Sequence, residues 1–370
     1  MENILQPETQ TTNYQIVVTD ASKKPVWAAI EGFKSFNEPI SIQEALKETG
    51  CDFTVKKEHM IRIPDDIYNG IVSHYKFSTG PVSLDDLITT HMATVNERDN
   101  STLGIVGADY AVVQNEEAFK FIDLLTKSDV EGGKPIIETC GSFDEGRRLF
   151  LTAKMPKHIR IEGDKEGIDD YVVFHTSHDG SSGVSVCITP IRVVCQNTLN
   201  AALKSHNKIT FKHTKNVSVR MNDEERVKRI LGLHEKFLDE FVNSLHFLRT
   251  QPVTENDVKK FAAQMVIAEP AKYAKAAEAG FNLDSVNDMP TATKYRYTTL
   301  RNAIESGIGQ DEHRGSKLWL YNGITTYYRN YANFGNSTES PFRRAEKRFV
   351  STFEGAAANK VQLAYETLMA

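Results

Sequence analysis

The residues best suited to chemistry in this sequence are lysines that alternate with aromatic side chains. They lie in a strip from residue 204 to residue 215, which contains no Asp or Glu. The strip carries Lys204, Lys208, Lys212 and Lys215, with Phe211 between them. Lysine ammonium groups neutralise phosphates, and aromatic faces stack on unpaired bases. The strip therefore predicts a surface for single-stranded nucleic acid, and a solvated charged loop is the alternative.

A second group of cations precedes the strip and extends the same prediction. Its members are Arg147, Arg148, Lys154 and Arg192. From residue 147 to residue 229 there are 15 Lys plus Arg against 9 Asp plus Glu, although the whole chain has a net charge of -5. Charge is therefore segregated along the chain. We expect these cations to contact phosphates, and the acidic C-terminal region is available to a replication or host protein.

The sequence contains few residues or motifs that would indicate an enzyme. His175, His178 and Asp179 are the residues on which a metal-dependent nuclease could be built, but an odd offset on a strand sends side chains to opposite faces. The four cysteines form no CxxC pair, and the chain has no phosphate-binding loop, nucleophile elbow or His-Glu-x-x-His helix. The sequence predicts a non-enzymatic protein without metal or cofactor.

Composition places the chain among ordinary globular proteins. It has 370 residues, of which 40% are hydrophobic and 25% charged, enough for two or three structural units. No apolar run approaches the roughly 18 residues of a membrane span. The amino end lacks the basic segment followed by an apolar segment that is typical of a signal peptide. We expect a cytoplasmic protein with no membrane partner.

The central elements that would position the cations are two β-hairpins between helices. The first joins residues 136–143 to 147–155, and the second joins 171–176 to 184–195. A helix capped by Asn115 precedes them, and one from Thr198 to Leu203, capped by Asn197, follows. A short helix from Leu84 to Met92 is predicted upstream. The predicted class is α+β, an antiparallel sheet of hairpins backed by helices and followed by a mostly helical C-terminal region.

Three regions are predicted from these patterns. Residues 1–54 form an N-terminal arm or lid, 55–221 the α+β core, and 222–370 the helical C-terminal region. The helical region includes an apolar stripe at helical spacing, made by Leu231, His234, Leu238, Phe241, Leu245 and Leu248. The stripe predicts packing against the next helix. Later helices are predicted near Thr291–Ser306, Trp319–Tyr331 and Glu346–Glu366.

Three segments of the sequence resemble a known family. They are residues 189–203 (TPIRVVCQNTLNAAL), 103–119 (LGIVGADYAVVQNEEAF) and 315–328 (GSKLWLYNGITTYY). The first is the most specific of the three. On these segments, the region from about residue 60 to 335 resembles the phage- and plasmid-associated domain of unknown function 932.

The resemblance implies a place among the replication and recombination proteins of mobile elements in a bacterial host cell. The predicted order of helix, two hairpins and helix is similar to single-strand annealing proteins of the Rad fifty-two type, which need no ATP and form oligomers. The leading hypothesis is a homo-oligomeric protein that binds and anneals single-stranded DNA. A phage host-interaction or anti-defence protein is the alternative, and a metal-dependent nuclease is a weaker one.

Overall fold

The fold is taken from a computed structural model of the chain. The residues that it describes are 15–18, 33–36, 38–63, 84–120, 135–159, 167–192, 197–198, 208–221, 239–307, 309–353 and 355–370. Among them, strands dominate up to residue 211, and the residues from 239 onward are mostly helical.

Two β-sheets form in the described residues. The larger contains β1 (Gln15–Val18), β2 (Phe33–Phe36), β6 (Ile136–Phe143), β7 (Arg148–Ile159), β8 (Ile168–Ser177), β9 (Val184–Arg192), β10 (Asn197–Thr198) and β11 (Lys208–Phe211). The smaller contains β3 (Val55–Ile61), β4 (Leu87–Asn96) and β5 (Thr102–Gly107). In the larger sheet the order is β10-β9-β8-β7-β6-β1-β2, and β11 also pairs with β9. Its pairs are antiparallel apart from β1 with β2, which confirms the predicted sheet of hairpins.

Both predicted hairpins are confirmed. Strands β6 and β7 join through residues 144–147, where Asp144, Glu145 and Gly146 have positive φ angles of 52°, 57° and 86°. Strands β8 and β9 join through residues 178–183, and Tyr171 stands opposite Thr189 in their register. Pro190 stands opposite Asp170 of β8 and lies between the stretches of β9 that pair with β11 and β10, so no residue of β10 or β11 is paired with it.

The helices are α1 (Ile42–Glu48), α2 (Val217–Met221), α3 (Glu255–Val266), α4 (Pro270–Glu278), α5 (Thr291–Ser306), α6 (Lys317–Thr326), α7 (Pro341–Phe353) and α8 (Ala356–Met369). Residues 115–120 and 239–250 are also helical, and a π-helical turn, Tyr327–Tyr331, continues α6. Short 3₁₀ turns occur at Leu84–Asp86, Leu283–Ser285 and Asp311–His313. No helix among the described residues is long and apolar enough to cross a membrane.

Several helix starts follow from local chemistry. Helices α1 and α3 begin with reciprocal capping boxes, Ser41 with Glu44 and Thr254 with Asp257. Helix α4 begins with Pro270, whose missing N–H would have had no intrahelical acceptor. The prediction of a helix over 291–306 is confirmed to the residue.

The predicted apolar stripe packs as expected where it is described. Phe241, Leu245 and Leu248 are buried and share one core with the buried side of α3, including Val258 and Phe261. Leu231, His234 and Leu238 lie outside the described residues. The same core contains side chains from the larger sheet and from α6, so sheet and helices are packed together.

The turn after β8 connects the two sheets. His178 is fully buried, and its Nε2 donates to Asn115 Oδ1 at 2.7 Å. Thr94 of β4 donates from Oγ1 to the His178 carbonyl at 2.7 Å, while Asn115 Nδ2 donates to the Cys51 carbonyl at 2.8 Å. Burial, with a smaller effect from nearby His213, lowers the pKa of His178 to about 4. The ring is therefore neutral at pH 7.

Two predicted helix starts are wrong. Residues 84–92 form a 3₁₀ turn and the first part of β4, because the β-branched run at residues 88–90 favours an extended chain that pairs with β3 and β5. Asn115 lies inside the helical segment 115–120 and does not cap it, since its side chain is used by His178, Cys51 and Phe53.

Two further predictions are corrected near the ends of elements. Asn197 and Thr198 pair with β9 as β10, so Thr198 does not begin a helix, and residues 199–207 lie outside the described residues. The single helix predicted near Glu346–Glu366 is two helices. They meet near Gly355, where a Cβ would stand 2.8 Å from Ser351 Cα.

The described part of residues 1–54 belongs to the main body of the fold. Strand β1 pairs with β6, and Ala45, Leu46 and Cys51 are buried in the shared core. These contacts place the described part of 1–54 against β6 and the shared core, and the predicted arm or lid stays a prediction. Residues 222–238 are not described, and the predicted boundary at 222 stays a prediction.

Candidate functional site

The cations predicted on the sheet are paired with acids. Arg148 Nη2 lies 3.3 Å from Asp179 Oδ2, and Lys154 Nζ lies 2.6 Å from Asp169 Oδ2. Both cations lie on one face of β7, since their positions differ by six, and each side chain is about one-third exposed. Arg147 is half-buried in the preceding turn. Because neighbouring carboxylates already offset the charges of Arg148 and Lys154, these charges are less available to phosphates than the sequence predicts.

The basic strip divides into a buried and an exposed part. Phe211 ends β11 opposite Val184 and is 2% exposed in the core, so its predicted role as a base-stacking residue is wrong. Lys212 and Lys215 follow on an exposed loop. Only the backbone is described for Lys208 in β11 and for Arg192 at the end of β9. Lys204 lies outside the described residues.

The residues of the nuclease alternative are bound to other protein groups. His178 bonds to Asn115, and Asp179 pairs with Arg148 and accepts from the Ser181 N–H at 2.8 Å. Within the described part of the chain, no three His, Cys, Asp or Glu side chains are placed to share a metal ion.

A cleft in the helical region was not predicted from the sequence. It has a volume of about 350 Å³ and lies between the end of α3, the start of α4, α5, the last turn of α6 and α8. Its apolar floor is formed by Met265, Met289, Leu300 and Ile324. Small-molecule sites typically occupy about 300–1,000 Å³, so the cleft can hold a group the size of one nucleotide.

Tyrosine rings form one wall of this cleft. Tyr327 and Tyr328 both line it, and their ring centroids are 5.0 Å apart in an edge-to-face arrangement. They begin the π-helical turn, a distortion that is frequent at functional sites. Burial raises the pKa of both phenols, so they are neutral at pH 7. Tyr295 of α5 is 60% exposed and close enough to Tyr327 to influence its pKa.

Cations form the polar rim of the cleft. Lys272, Arg296 and Lys360 line it together with Glu269. Lys272 pairs with Glu269 at 2.6 Å, whereas the described residues provide no ion pair for Arg296 or Lys360. Arg296 Nε donates to the Ala292 carbonyl at 3.2 Å, which keeps it along its own helix. The rim therefore has a surplus of positive charge.

Close contact between α5 and α6 positions the tyrosine wall. At Gly323, a built Cβ would lie 2.2 Å from Ile304 Cγ1 and 2.8 Å from Ile304 Cα. Only glycine lets the helices approach to this distance. The next residue of α6, Ile324, lines the cleft, and Tyr327 and Tyr328 line it about one turn later, in the π-helical turn that continues α6.

One known family matches the part of the chain that contains most of the cleft. The family described as a domain of unknown function (DUF932) matches residues 102–354, more than half of the chain. The chain belongs to the DUF932 family. No curated protein and no solved structure matches it, so the similarity to annealing proteins stays a prediction. The DUF932 region includes every residue of the cleft except Lys360.

One segment of the sequence does carry a signal for the cleft. The segment 315–328 carries the family resemblance and ends in Tyr327 and Tyr328. Its Ser316 cap and Gly323 contact are packing features, but the paired tyrosines point to the cleft. The partners on α4, α5 and α8 are too distant in sequence to be connected with them.

Proposed function

We propose that this DUF932 protein binds single-stranded DNA without catalysing a reaction, and that the helical cleft holds an unpaired nucleotide. The observation that carries the proposal is the cleft itself, where Tyr327 and Tyr328 line one space with Arg296 and Lys360, two cations for which the described residues provide no ion pair. Stacking on aromatic rings and charge attraction to phosphates are the two interactions that bind single strands without sequence preference.

The geometry favours a single strand over a duplex. A base inside a duplex is stacked on both faces, and taking it out costs a few kcal/mol. A single strand presents its bases freely, so one can enter between Tyr328 and the apolar floor. Tyr295, exposed beside the cleft, offers a second ring to the next base.

The charge distribution supports the same proposal. Arg296 and Lys360 can reach phosphates on either side of a bound base, while Lys272 is partly offset by Glu269. The exposed Lys212 and Lys215 can extend the contact to a longer strand. Backbone binding of this kind supports annealing by an oligomer in the bacterial cytoplasm, as the sequence predicts, and needs no catalytic group or cofactor.

The first test is the salt dependence of binding. We expect labelled single-stranded oligonucleotides to bind, with log affinity falling linearly against log salt. Replacing Lys272, Arg296 and Lys360 by Gln should reduce the slope by about 2, since each phosphate contact on a single strand contributes about 0.7. Fluorescence anisotropy over a salt series measures both quantities.

A matched control separates the cleft from general surface charge. Lys259, Lys275 and Lys294 lie on α3, α4 and α5 but do not line the cleft, and their replacement by Gln removes the same formal charge. This control should change the slope less than the cleft variant. Equal slopes in the two variants would remove the cleft from the proposal, and no binding by the wild type would favour the host-interaction alternative.

The tyrosine wall gives a second prediction. Tyr328→Leu should weaken binding by about 1–3 kcal/mol with little change in the salt slope, because stacking releases no counterions. Tyr328→Phe keeps the ring and should restore most of the affinity. Phe247→Leu removes an exposed ring that does not line the cleft and serves as the control. Unchanged affinity in Tyr328→Leu, with an unchanged Tm, would contradict a stacking role.

A further inference from the structure

Helix α7 carries four cations, of which, within the described part of the chain, two are paired with carboxylates and two are not. They are Arg343, Arg344, Lys347 and Arg348. Two of them have carboxylate partners. Arg343 Nη1 lies 3.0 Å from Asp144 Oδ1 and 2.6 Å from Glu346 Oε2, and Lys347 Nζ lies 2.5 Å from Glu339 Oε1.

The other two cations have no carboxylate partner among the described residues. Arg344 and Arg348 are one helical turn apart, so they occupy the same face of α7. The polar contact that the structure shows for Arg344 is a long one, 3.5 Å from Nη1 to the Ser337 carbonyl. Arg348 is half-buried, and its buried Nε has no hydrogen-bond partner in the described structure.

Packing holds Arg348 in this position. Its Cζ lies 5.5 Å from the centre of the Phe334 ring, just after the π-helical turn that forms part of the cleft wall. Burial and the neighbouring Arg344 lower the pKa of Arg348 from its ordinary value, whereas hydrogen bonding to Glu346 raises that of Arg343. The charge of Arg348 is therefore destabilised by its surroundings, and a bound anion would compensate it.

We propose that Arg344 and Arg348 form a binding site for a phosphoryl group. A guanidinium presents parallel N–H donors that match two oxygens of an oxyanion, and two guanidinium groups match the charge of a phosphate dianion. The compensated Arg343 and Lys347 hold the helix in place beside the site. This proposal does not depend on the cleft, because none of these four residues lines it.

The phosphoryl group has two possible sources with the same chemistry. One is a phosphodiester of a nucleic acid strand, and the other is free phosphate or a small phosphorylated molecule. Helix α7 packs against the turn Tyr327–Tyr331, so a strand held in the cleft would have the arginine pair nearby. The experiment therefore uses inorganic phosphate and an oligonucleotide as separate probes.

The first arm measures Tm in inorganic phosphate against sodium chloride of equal ionic strength. Phosphate should raise the wild-type Tm by a few degrees, because a ligand that binds the folded state stabilises it. The double variant Arg344→Gln/Arg348→Gln should lose this response and keep or exceed the wild-type Tm in chloride. Lys275→Gln, which removes an exposed cation outside the site, should keep the response.

The second arm measures the salt slope of oligonucleotide binding in the same variants. A slope lower by about 1.4 in the double variant identifies a phosphodiester, since each contact contributes about 0.7. An unchanged slope with a lost phosphate response identifies free phosphate or a small phosphorylated ligand. The site is overturned if the rise of Tm in phosphate survives in the double variant. It is also overturned if the wild type shows no such rise and has the same salt slope as the double variant.

Should the double variant have a lower Tm in chloride, Arg344→Gln alone provides the test. Arg344 makes no ring contact with Phe334, so its replacement leaves the packing of Arg348 in place. If the two arginines bind a phosphoryl group, phosphate should raise the Tm of this single variant less than that of the wild type. A purely structural role for the arginines predicts an unchanged response, which counts against the proposal.

Discussion

Acidification from pH 7 to pH 4 is expected to lower the free energy of unfolding by roughly 3 kcal/mol through His178 alone. The pKa of His178 is lowered from 6.5 to about 4 in the folded protein, first by burial and then by the nearby His213, while Asp179 acts in the opposite direction. Between these two values the unfolded chain binds the proton and the folded chain does not. Stability contributed by His178 is thus complete above about pH 6.5 and is lost as the pH falls towards 4.

Chemical denaturation at several pH values, in the wild type and in His178→Gln, isolates this effect. Glutamine retains an N–H donor for Asn115 but cannot be protonated in this range, so its unfolding free energy should depend less on pH. The difference between the two pH profiles removes the contributions of Asp179 and of the other carboxylates. Parallel profiles would mean that His178 is accessible to protons in the folded state.

Gly323→Ala is expected to destabilise the fold by about 3 kcal/mol, towards the upper end of the usual cost of overpacking. The added Cβ would lie 2.2 Å from Ile304 Cγ1, far inside any real contact, so α5 and α6 must move apart. Because these helices carry Leu300 and Ile324 of the cleft, the proposed binding of single-stranded DNA should weaken as well.

Two comparisons test the cause of this destabilisation. Gly107→Ala is the matched control, since a Cβ at Gly107 would meet no atom within 4 Å and its φ angle is not positive. Ile304→Val in the Gly323→Ala background keeps Cγ1 and should rescue little, whereas Ile304→Ala removes Cγ1 and should recover part of the loss. A double-mutant cycle with no coupling would show that contact with Ile304 is not the cause.

The proposed cleft does not contain the cations that the sequence predicts as phosphate contacts on the sheet. Charge alone predicts Arg148 and Lys154 as phosphate contacts, but the register of β7 with β8 and the turn after β8 bring an acid to each of them. These partly buried ion pairs offset the charge of both cations and so leave it less available to phosphates. A count of charges along the chain does not include this pairing.

The sequence by itself determined the elements whose pattern is local. Alternating apolar residues around a short turn predicted both hairpins, and helical spacing predicted α5 and the packing of residues 241–248 on α3. The family segments, in turn, were enough to predict membership of DUF932. These features depend on backbone geometry and on neighbours within a few residues.

Only the tertiary structure decided which side chains are available for binding. Phe211 is buried because β11 pairs with β9 and its ring packs in the core. The side chain of Asn115 does not cap a helix, because it bonds to His178, 63 residues away. The cleft joins Glu269 to Lys360 across five helical segments. Contacts between residues so far apart depend on how whole elements pack, and the free energies involved are not encoded in any local pattern of the sequence.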